Sequence, residues 1–346
     1  MIAGGGIIGV SLARELRKHG ASVLVVERGE PGREASHAAA GMLAYCDPML
    51  PEPLQRLARA SAAMYPEFVH EIEDESGMRV DLRTEGTVVY SEEDAASYVS
   101  AGQWRPLAAE DIARLEPRLE YSGQAAYWTP EASVDPRALI AASVKAAKHR
   151  GIDIASGSAV TAIELDGNRA IAVRTAKTRY AAGKVVNCCG AWAGQVPPLA
   201  FPTRPVKGQM LCVVAARGLL QHVMRAPDVY MVPRSDGRIL IGSTLEDAGF
   251  DKRVDPETIQ RLHEAATSLV PDLGEARMLE TWAGLRPGTP DALPLLGATR
   301  IENYFVAAGH YRDGILLAPV TALVMSQAVR GSIPDFDLSA FSSARF

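Results

Sequence analysis

The sequence predicts an α/β fold, α+β over the whole chain, and a few local patterns carry this prediction. A glycine-rich turn links a short strand to a helix at the N-terminus. Pairs of apolar runs flank the turn signals at 166–167 and 235–237, as expected for antiparallel hairpins. Asp-Pro pairs begin two predicted helices, over 135–151 and 255–271. The apolar segment 314–329 is too short to span a bilayer and predicts a core helix.

Composition and charge exclude several classes of protein. The 346 residues are enough for two domains, and the 47% hydrophobic and 22% charged content is typical of globular chains. A net charge of −5 gives no basic excess for binding nucleic acid or an anionic membrane. The four cysteines lack C-x-x-C spacing, so no metal site is predicted, and a reduced, cytoplasmic protein is the simplest interpretation.

The strongest local motif is G-x-G-x-x-G at Gly4, Gly6 and Gly9. A helical pattern follows it, and the buried strand "SVLVVE" then ends at Glu27, 23 residues after Gly4. In this order the glycines let the backbone approach a pyrophosphate at the helix N-terminus, and the carboxylate binds ribose hydroxyls. The motif therefore predicts a dinucleotide site, but it does not distinguish NAD from FAD.

Two arginines near the C-terminus are candidate anion-binding residues. Arg286 lies in "WAGLRPGTPDALP", a turn-like and non-helical stretch, and Arg312 lies in "AAGHYRDGILLAP" before an apolar helix. A guanidinium stays charged at all working pH and holds a carboxylate with two hydrogen bonds. From the residues alone, a surface or structural ion pair remains the commoner role for each.

A set of ordered sequence blocks extends nearly from end to end. They are "GGGIIG", "AAAGML", "VDPRAL", "VVNCCGAWAG", "PVKGQ", "YMVPRSDGRILIGST", "WAGLRPGTPDALPLLG" and "AAGHYRDGILLAP". Their order resembles the FAD-dependent amine oxidase family that contains glycine oxidase, D-amino-acid oxidase and sarcosine oxidase, with glycine oxidase the most similar. The resemblance implies a Rossmann-like FAD-binding domain (1–75, 150–200 and 285–346) interleaved with a mixed-sheet substrate domain (76–149 and 201–284).

The resemblance also implies FAD as the cofactor. The positions that match its FAD-contacting motifs are Gly4, Gly6, Ile7, Ile8, Gly9, Glu27, Arg28, Ala35, Ser36, Ala40, Gly41, Met42, Val160, Gly190, His310, Tyr311, Arg312, Asp313, Gly314, Ile315 and Leu316. Residues 310–316 are expected to open the last helix, whose N-terminus would stabilise negative charge on reduced flavin.

The implied reaction is oxidative deamination of glycine, a small D-amino acid or an N-methyl glycine to the 2-oxo acid. In this family a hydride passes from Cα to flavin N5, and O2 reoxidises the flavin to give hydrogen peroxide, with a link to thiamine biosynthesis. The matching catalytic positions are Tyr230, Arg286 and Arg312, which would hold the substrate carboxylate. Met42 and Leu245 would line the same pocket.

Three positions depart from the glycine oxidase pattern. Asp313 replaces a small polar residue and is expected to pair with Arg312. Leu245 stands where glycine oxidase has methionine, and Asp228 also differs from the pattern. These departures leave the preferred amine open.

Three alternatives remain from the sequence. They are a D-amino-acid or sarcosine dehydrogenase that uses an acceptor other than oxygen, an NAD-dependent enzyme, and a catalytically disabled flavin-binding protein. The expected partners are a small amino-acid substrate and O2, with no nucleic acid and no membrane span. A homo-oligomer is left open.

Overall fold

The structure, a computed structural model, describes residues 1–91, 95–120 and 123–346. Its helices are α1 (Ile7–Lys18), α2 (Ala35–Ala38), α3 (Glu52–Ser76), α4 (Ala96–Ser100), α5 (Ala109–Leu115), α6 (Pro136–His149), α7 (Pro256–Leu269) and α8 (Ala318–Arg330). Its strands are β1 (Ile2–Ala3), β2 (Leu24–Val26), β3 (Met42–Leu43), β4 (Leu82–Arg83), β5 (Thr87–Ser91), β6 (Arg105–Leu107), β7 (Ala125–Thr129), β8 (Ala132–Val134), β9 (Asp153–Ala155), β10 (Val160–Asp166), β11 (Arg169–Thr175), β12 (Arg179–Ala181), β13 (Val185–Asn187), β14 (Arg204–Val214), β15 (Val223–Arg225), β16 (Tyr230–Pro233), β17 (Arg238–Gly242), β18 (Arg277–Gly288), β19 (Leu295–Ala298) and β20 (Tyr304–Ala308).

The first large sheet is parallel apart from one edge strand. Its order is β19-β20-β13-β1-β2-β9, and only the β19–β20 pair is antiparallel. The short strand β1 therefore lies in the middle, and the chain turns at its carboxyl end into α1 and returns as β2. This is the strand–turn–helix–strand order that the glycine motif predicts, and the α/β prediction is confirmed.

Helices α1 and α8 pack against this sheet, and α3 and α6 pack on those helices, so that all four share one hydrophobic core with the sheet. Helix α8 contributes Val320, Val324 and Met325, all fully buried, as predicted for the apolar segment near the C-terminus. Helix α6 lies inside the range 76–149 that was assigned to the substrate domain. It packs instead on α1 and α3, because its apolar face, with Leu139 and Ala142, is buried in the core of the first sheet.

The second large sheet is mixed, with the order β18-β14-β17-β16-β15-β5-β7-β6. Its β15–β5 pair is parallel and the others are antiparallel, which confirms the predicted mixed sheet. Strand β14 pairs along its whole length with β18 and also pairs with β17. This pairing brings the predicted positions 230 and 286 into one region of the sheet.

Local capping explains why two predicted helices form. The Asp135 carboxylate accepts hydrogen bonds from the backbone N–H groups of Arg137 and Ala138, at 2.9 and 3.2 Å, and starts α6. The Asp255 carboxylate accepts from Thr258 N at 3.0 Å and starts α7. The two predicted hairpins, β10–β11 and β16–β17, also form.

Two segments near the C-terminus differ from prediction. Arg286 lies near the end of the long strand β18, where pairing with β14 keeps the stretch extended despite its two glycines and its proline. The last helix begins at Ala318, so residues 310–316 do not open it. They form consecutive turns, with Tyr311 at φ 49°. Asp313 N donates to the His310 carbonyl oxygen, and Leu317 N and Ala318 N then donate to the carbonyl oxygens of Asp313 and Ile315. Within the described ranges, no helix has both the length and the apolar character needed to cross a bilayer.

Candidate active site

A cavity of about 640 Å³ lies between the two large sheets. It is lined by the turn after β1, the segment 34–42, the start of β10, the segment 188–196, and parts of β16, β18 and 307–315. Its size falls within the usual range for small-molecule and cofactor sites. Segments that are far apart in sequence therefore share one wall.

The turn after β1 brings backbone close to backbone. Gly4 has φ +105°, and a Cβ there would lie 2.4 Å from the carbonyl oxygen of Cys188. A Cβ on Gly9 would lie 2.1 Å from the carbonyl oxygen of Gly4, so only glycine lets α1 pack this near the turn. Gly4 lines the cavity. Gly9 does not line it, and contributes by letting α1 pack against the turn.

The polar groups of this turn fit a pyrophosphate and a ribose. The two Glu27 carboxylate oxygens accept from Gly5 N at 2.7 Å and Gly29 N at 2.9 Å, which fixes the side chain while leaving lone pairs for hydroxyls. Ser36 Oγ accepts from Ile7 N at 2.9 Å. No described residue accepts a hydrogen bond from Ile8 N, so the start of α1, which lines the cavity, offers a donor to an anion. The residues therefore fit the dinucleotide that the motif predicts.

An aromatic platform lies at the Glu27 end of the cavity. The Arg28 guanidinium stacks 3.5 Å above the ring of Trp192, and both residues line the cavity with Val160 and Gly190. Trp192 was not predicted as a site residue, although it stands in the quoted block "GAWAG". Burial raises the pKa of the neighbouring Cys189 thiol to about 12, which keeps it protonated and unreactive.

The cavity wall that the second sheet contributes holds Tyr230, on β16, and Arg286, on β18. Arg286 donates to the carbonyl oxygen of Thr244 at 3.1 Å and to Ser243 Oγ at 2.6 Å. The Tyr230 hydroxyl lies 3.6 Å from Met210 Sδ. These contacts fix the arginine while leaving further N–H donors for a ligand.

Arg312 lines the same cavity but is held loosely. Its side chain is exposed, and Nη1 contacts Met49 Sδ at 3.6 Å. Among the residues that the structure describes, no carboxylate forms an ion pair with Arg286 or Arg312. The cavity thus contains two positive charges that its own wall does not neutralise.

Burial disfavours the charged form of two neighbours of Arg312. Asp313 is half-buried and forms no ion pair with Arg312 in the described structure, so the expected pair is absent. Burial raises the pKa of the Asp313 carboxyl to about 7, against the attraction of the Arg312 charge. Burial lowers the pKa of His310 to about 3, and its Nε2 lies 3.1 Å from Thr321 Oγ1. His310 is therefore a neutral structural residue at ordinary pH.

Most predicted site residues lie in the cavity wall. They are Gly4, Gly6, Ile7, Ile8, Glu27, Arg28, Ala35, Ser36, Ala40, Gly41, Met42, Val160, Gly190, Tyr230, Arg286, His310, Tyr311, Arg312, Gly314 and Ile315. Four predicted residues lie outside it: Gly9, Leu245, Asp313 and Leu316. Leu245 points to solvent with 65% of its surface exposed, because it follows β17 beyond the sheet.

The wall also contains charged residues that sequence reasoning missed. Asp47 and Arg225 line it and form an ion pair at 3.0 Å, and Arg225 also pairs with buried Glu131 at 3.2 Å. These residues come from separate loops and strands with no local motif. Only their pairing in space could have identified them.

Comparison with known proteins gives the family. A family model described as FAD dependent oxidoreductase (DAO) matches residues 1–328. The glycine oxidase of Pseudomonas aeruginosa is 34% identical, and the match covers 99% of this chain and 98% of that protein. The bifunctional protein ThiO/ThiG of Synechocystis sp. is 36% identical over 100% of this chain, which spans only 54% of that longer relative.

A solved structure is similar over the whole fold. The crystal structure of glycine oxidase from Geobacillus kaustophilus has a TM-score of 0.95 and 34% identity, and the match covers 100% of this chain and 98% of that one. The matched family model agrees with the strand order and with the dinucleotide cradle, by which we mean the turn at residues 4–9 together with Glu27 and Ser36. The chain belongs to the family of FAD-dependent oxidoreductases.

Proposed function

We propose that this protein is an amino-acid oxidase that deaminates glycine or another small amino acid, such as a small D-amino acid or an N-methyl glycine. The observation that carries the proposal is the pair Arg286 and Arg312. Both line the cavity that holds the dinucleotide cradle, and neither has a carboxylate partner among the described residues. A charge in a cavity needs a partner, and a substrate carboxylate supplies one.

Three groups would orient the substrate. Arg286, already fixed by Ser243 and Thr244, presents its remaining N–H donors to one face of the carboxylate. Arg312 closes on the carboxylate from the 307–315 side, and the Tyr230 hydroxyl donates a further hydrogen bond. Holding the carboxylate fixes Cα relative to the rest of the cavity, which is the main contribution of the protein to the rate.

When bound, FAD supplies the redox chemistry, which is acceptance of a hydride from Cα and reduction of O2 to hydrogen peroxide. The amine reacts as the free base after losing its proton to water. Its lone pair forms the C=N bond as the hydride leaves, and water hydrolyses the released imine to the 2-oxo acid and ammonia, or to the 2-oxo acid and methylamine when the substrate is an N-methyl glycine. This scheme requires no acid–base side chain. It is consistent with a site in which burial keeps His310 neutral and Cys189 protonated.

The choice among small amines depends on the apolar wall. Met42 and Met210 line the cavity near Tyr230, so they would contact a substrate side chain. One methyl group changes discrimination by about 1–3 kcal/mol, so glycine, D-alanine and sarcosine must be compared directly. The similarity to the ThiO/ThiG protein supports a role in thiamine biosynthesis as part of this proposal.

The test is an absorbance titration of the holoenzyme without oxygen. Glycine, D-alanine or sarcosine should bleach the flavin spectrum, and air should restore it with release of hydrogen peroxide. Bleaching without recovery in air would replace the oxidase with a dehydrogenase that uses another acceptor. A spectrum that no amino acid bleaches would overturn the proposal in favour of a disabled flavin-binding protein.

The arginine assignment has its own test. Arg286→Ala and Arg312→Ala should each raise KM by at least about tenfold with the flavin spectrum retained, because a hydrogen bond to a charged group contributes about 1.5–3 kcal/mol. Arg118→Ala, on an exposed arginine far from the cavity wall, is the matched control and should leave KM unchanged. An unchanged KM in both cavity variants would show that these arginines do not bind the substrate.

A further inference from the structure

We infer that Gly208 and Gly242 are positioning residues for the carboxylate site, because their missing side chains leave the space that Arg286 and Tyr230 occupy. This inference rests on the proposed function and deepens it. Neither glycine was predicted as a site residue. Gly208 lies on β14 and Gly242 ends β17, so both belong to rigid strands of the second sheet.

Gly208 determines where the Arg286 guanidinium lies. A Cβ built on Gly208 would be 2.2 Å from Nη1, 2.6 Å from Nη2 and 2.7 Å from Cζ of Arg286. Real side chains do not approach so closely, so any other residue would displace the guanidinium. Gly208 also lines the cavity, and the Arg286 guanidinium therefore packs directly on the Gly208 backbone.

Gly242 has the same relation to Tyr230. The two residues are paired across β16 and β17, and a Cβ on Gly242 would be 2.8 Å from both Cζ and Oη of the tyrosine. Met210, which pairs with Gly242 on the other side, lies 3.6 Å from the tyrosine hydroxyl. The Tyr230 ring thus lies flat along the sheet, and its hydroxyl position depends on Gly242.

The residues after β17 complete the arrangement. Ser243 Oγ and the Thr244 carbonyl accept the two hydrogen bonds that Arg286 donates to the protein. Thr244 is fixed in turn, since its hydroxyl accepts from Gln209 N at 2.9 Å and donates to Glu246. The guanidinium is therefore held between the backbone of Gly208 and the 243–244 segment.

The φ angle does not explain either glycine. Neither Gly208 nor Gly242 has the left-handed φ that favours glycine, in contrast to Gly4 or Gly41. The atoms that a new Cβ would meet are also the ends of side chains. At Gly41 and Gly194, a Cβ would instead meet a backbone carbonyl oxygen at 1.9 and 2.0 Å. Alanine at 208 or 242 should therefore move the arginine or tyrosine and leave the fold intact.

The experiment uses Gly208→Ala and Gly242→Ala in the holoenzyme, with two readouts besides turnover. Acetate, a carboxylate without an amine, is titrated against the flavin absorbance, and thermal unfolding reports the fold. We expect the acetate Kd and the KM for glycine to rise about tenfold, with flavin content and Tm close to the parent. Gly183→Ala is the matched control, because its Cβ would meet no atom within 4 Å and its φ is ordinary.

A double-mutant cycle separates positioning from general damage. If Gly208→Ala acts through Arg286, it should not weaken acetate binding further in an Arg286→Ala background. Ser243→Ala should weaken acetate binding in the same non-additive way, and it introduces no new bulk.

Additive effects in the cycle, or an unchanged acetate Kd in both alanine variants, would overturn the inference. Loss of flavin or of folding in the glycine variants, with normal acetate binding by Ser243→Ala, would overturn it as well and make these glycines structural. If the parent protein binds acetate but oxidises no amino acid, the proposed function fails, while the acetate Kd of each glycine variant and the cycle for Gly208 still test the positioning roles.

Discussion

Arg286 and Arg312 line one cavity, but the fold holds them very differently. Arg286 packs on Gly208 and is hydrogen-bonded to Ser243 and Thr244, whereas the exposed Arg312 guanidinium has only weak contacts in the described structure, with the Met49 sulfur at 3.6 Å and the Tyr311 ring centre at 5.7 Å. Ordering a long side chain on binding costs about 0.5–1.5 kcal/mol. On the proposed function, Arg286 is a preorganised anchor and Arg312 closes after the substrate arrives.

Asp313 gives a pH-dependent prediction at the residue scale. The pKa of its carboxyl is about 7 in the folded protein and about 4 in the unfolded chain, because burial disfavours the charged form. The folded state therefore binds this proton more tightly, and the associated stability is lost as pH rises from about 4 through about 7. Asp313→Asn should unfold at a higher urea concentration than the parent at pH 8.

The same comparison at pH 5 provides the control for Asp313. The carboxyl is then mostly protonated in the folded state, so the advantage of Asp313→Asn should shrink. Other titrating groups cancel because each variant is compared with the parent at one pH. An advantage that is equal at both pH values would show that the carboxyl does not titrate as stated.

Two helix starts give a matched prediction at the element scale. Asp135 caps α6 and also pairs with Arg238 at 2.7 Å, whereas Asp255 caps α7 on the surface of the second sheet. Asp255→Ala should cost about 1 kcal/mol of unfolding free energy, the usual loss for a cap. Asp135→Ala should cost more, about 2–3 kcal/mol, since it also leaves a partly buried arginine without this partner. Urea denaturation of both variants decides this, and equal losses would contradict it.

The turn between β1 and α1 gives a second prediction at this scale. Alanine at Gly9 would place Cβ 2.1 Å from the Gly4 carbonyl oxygen, which is backbone and cannot move aside. Helix α1 would have to shift away from the cradle. Gly9→Ala should therefore raise the Kd for FAD by at least about tenfold while far-ultraviolet circular dichroism stays close to the parent. An unchanged Kd for FAD would show that Gly9 is not needed to form the dinucleotide cradle.

Elements with local signals could be predicted from sequence, and elements shaped by pairing could not. The starts of α6 and α7 could be predicted from Asp135 and Asp255, because a helix cap is a contact between residues only two or three positions apart. The stretch around Arg286 looks turn-like because of Gly284, Pro287 and Gly288, yet pairing with β14 makes it a strand. The start of α8 was placed too early because the apolar pattern continues through turns that precede Ala318.

At the scale of the whole molecule, the cavity wall depends on contacts between distant segments. The family blocks located most of the wall, since each block carries its own motif. Asp47 and Arg225 were missed because nothing in their neighbouring sequence marks them, and Trp192 was missed although it lies in a family block. Their roles arise from an ion pair and a stack formed in space. The seating of Arg286 on Gly208 is likewise visible only once β14 and β18 are paired.

Because the cavity lies between two sheets, the ligand should stabilise the molecule as a whole. A ligand present at 100 times its Kd adds about 2.7 kcal/mol to the folded state, so removing FAD should lower Tm by a few degrees and adding it back should restore the value. Riboflavin lacks the pyrophosphate and adenosine that the turn at 4–9, Glu27 and the Arg28–Trp192 stack are built to hold. It should therefore restore much less of Tm at the same concentration. Equal stabilisation by riboflavin and FAD would mean that this half of the cavity does not bind the dinucleotide, and the cradle assignment would fail.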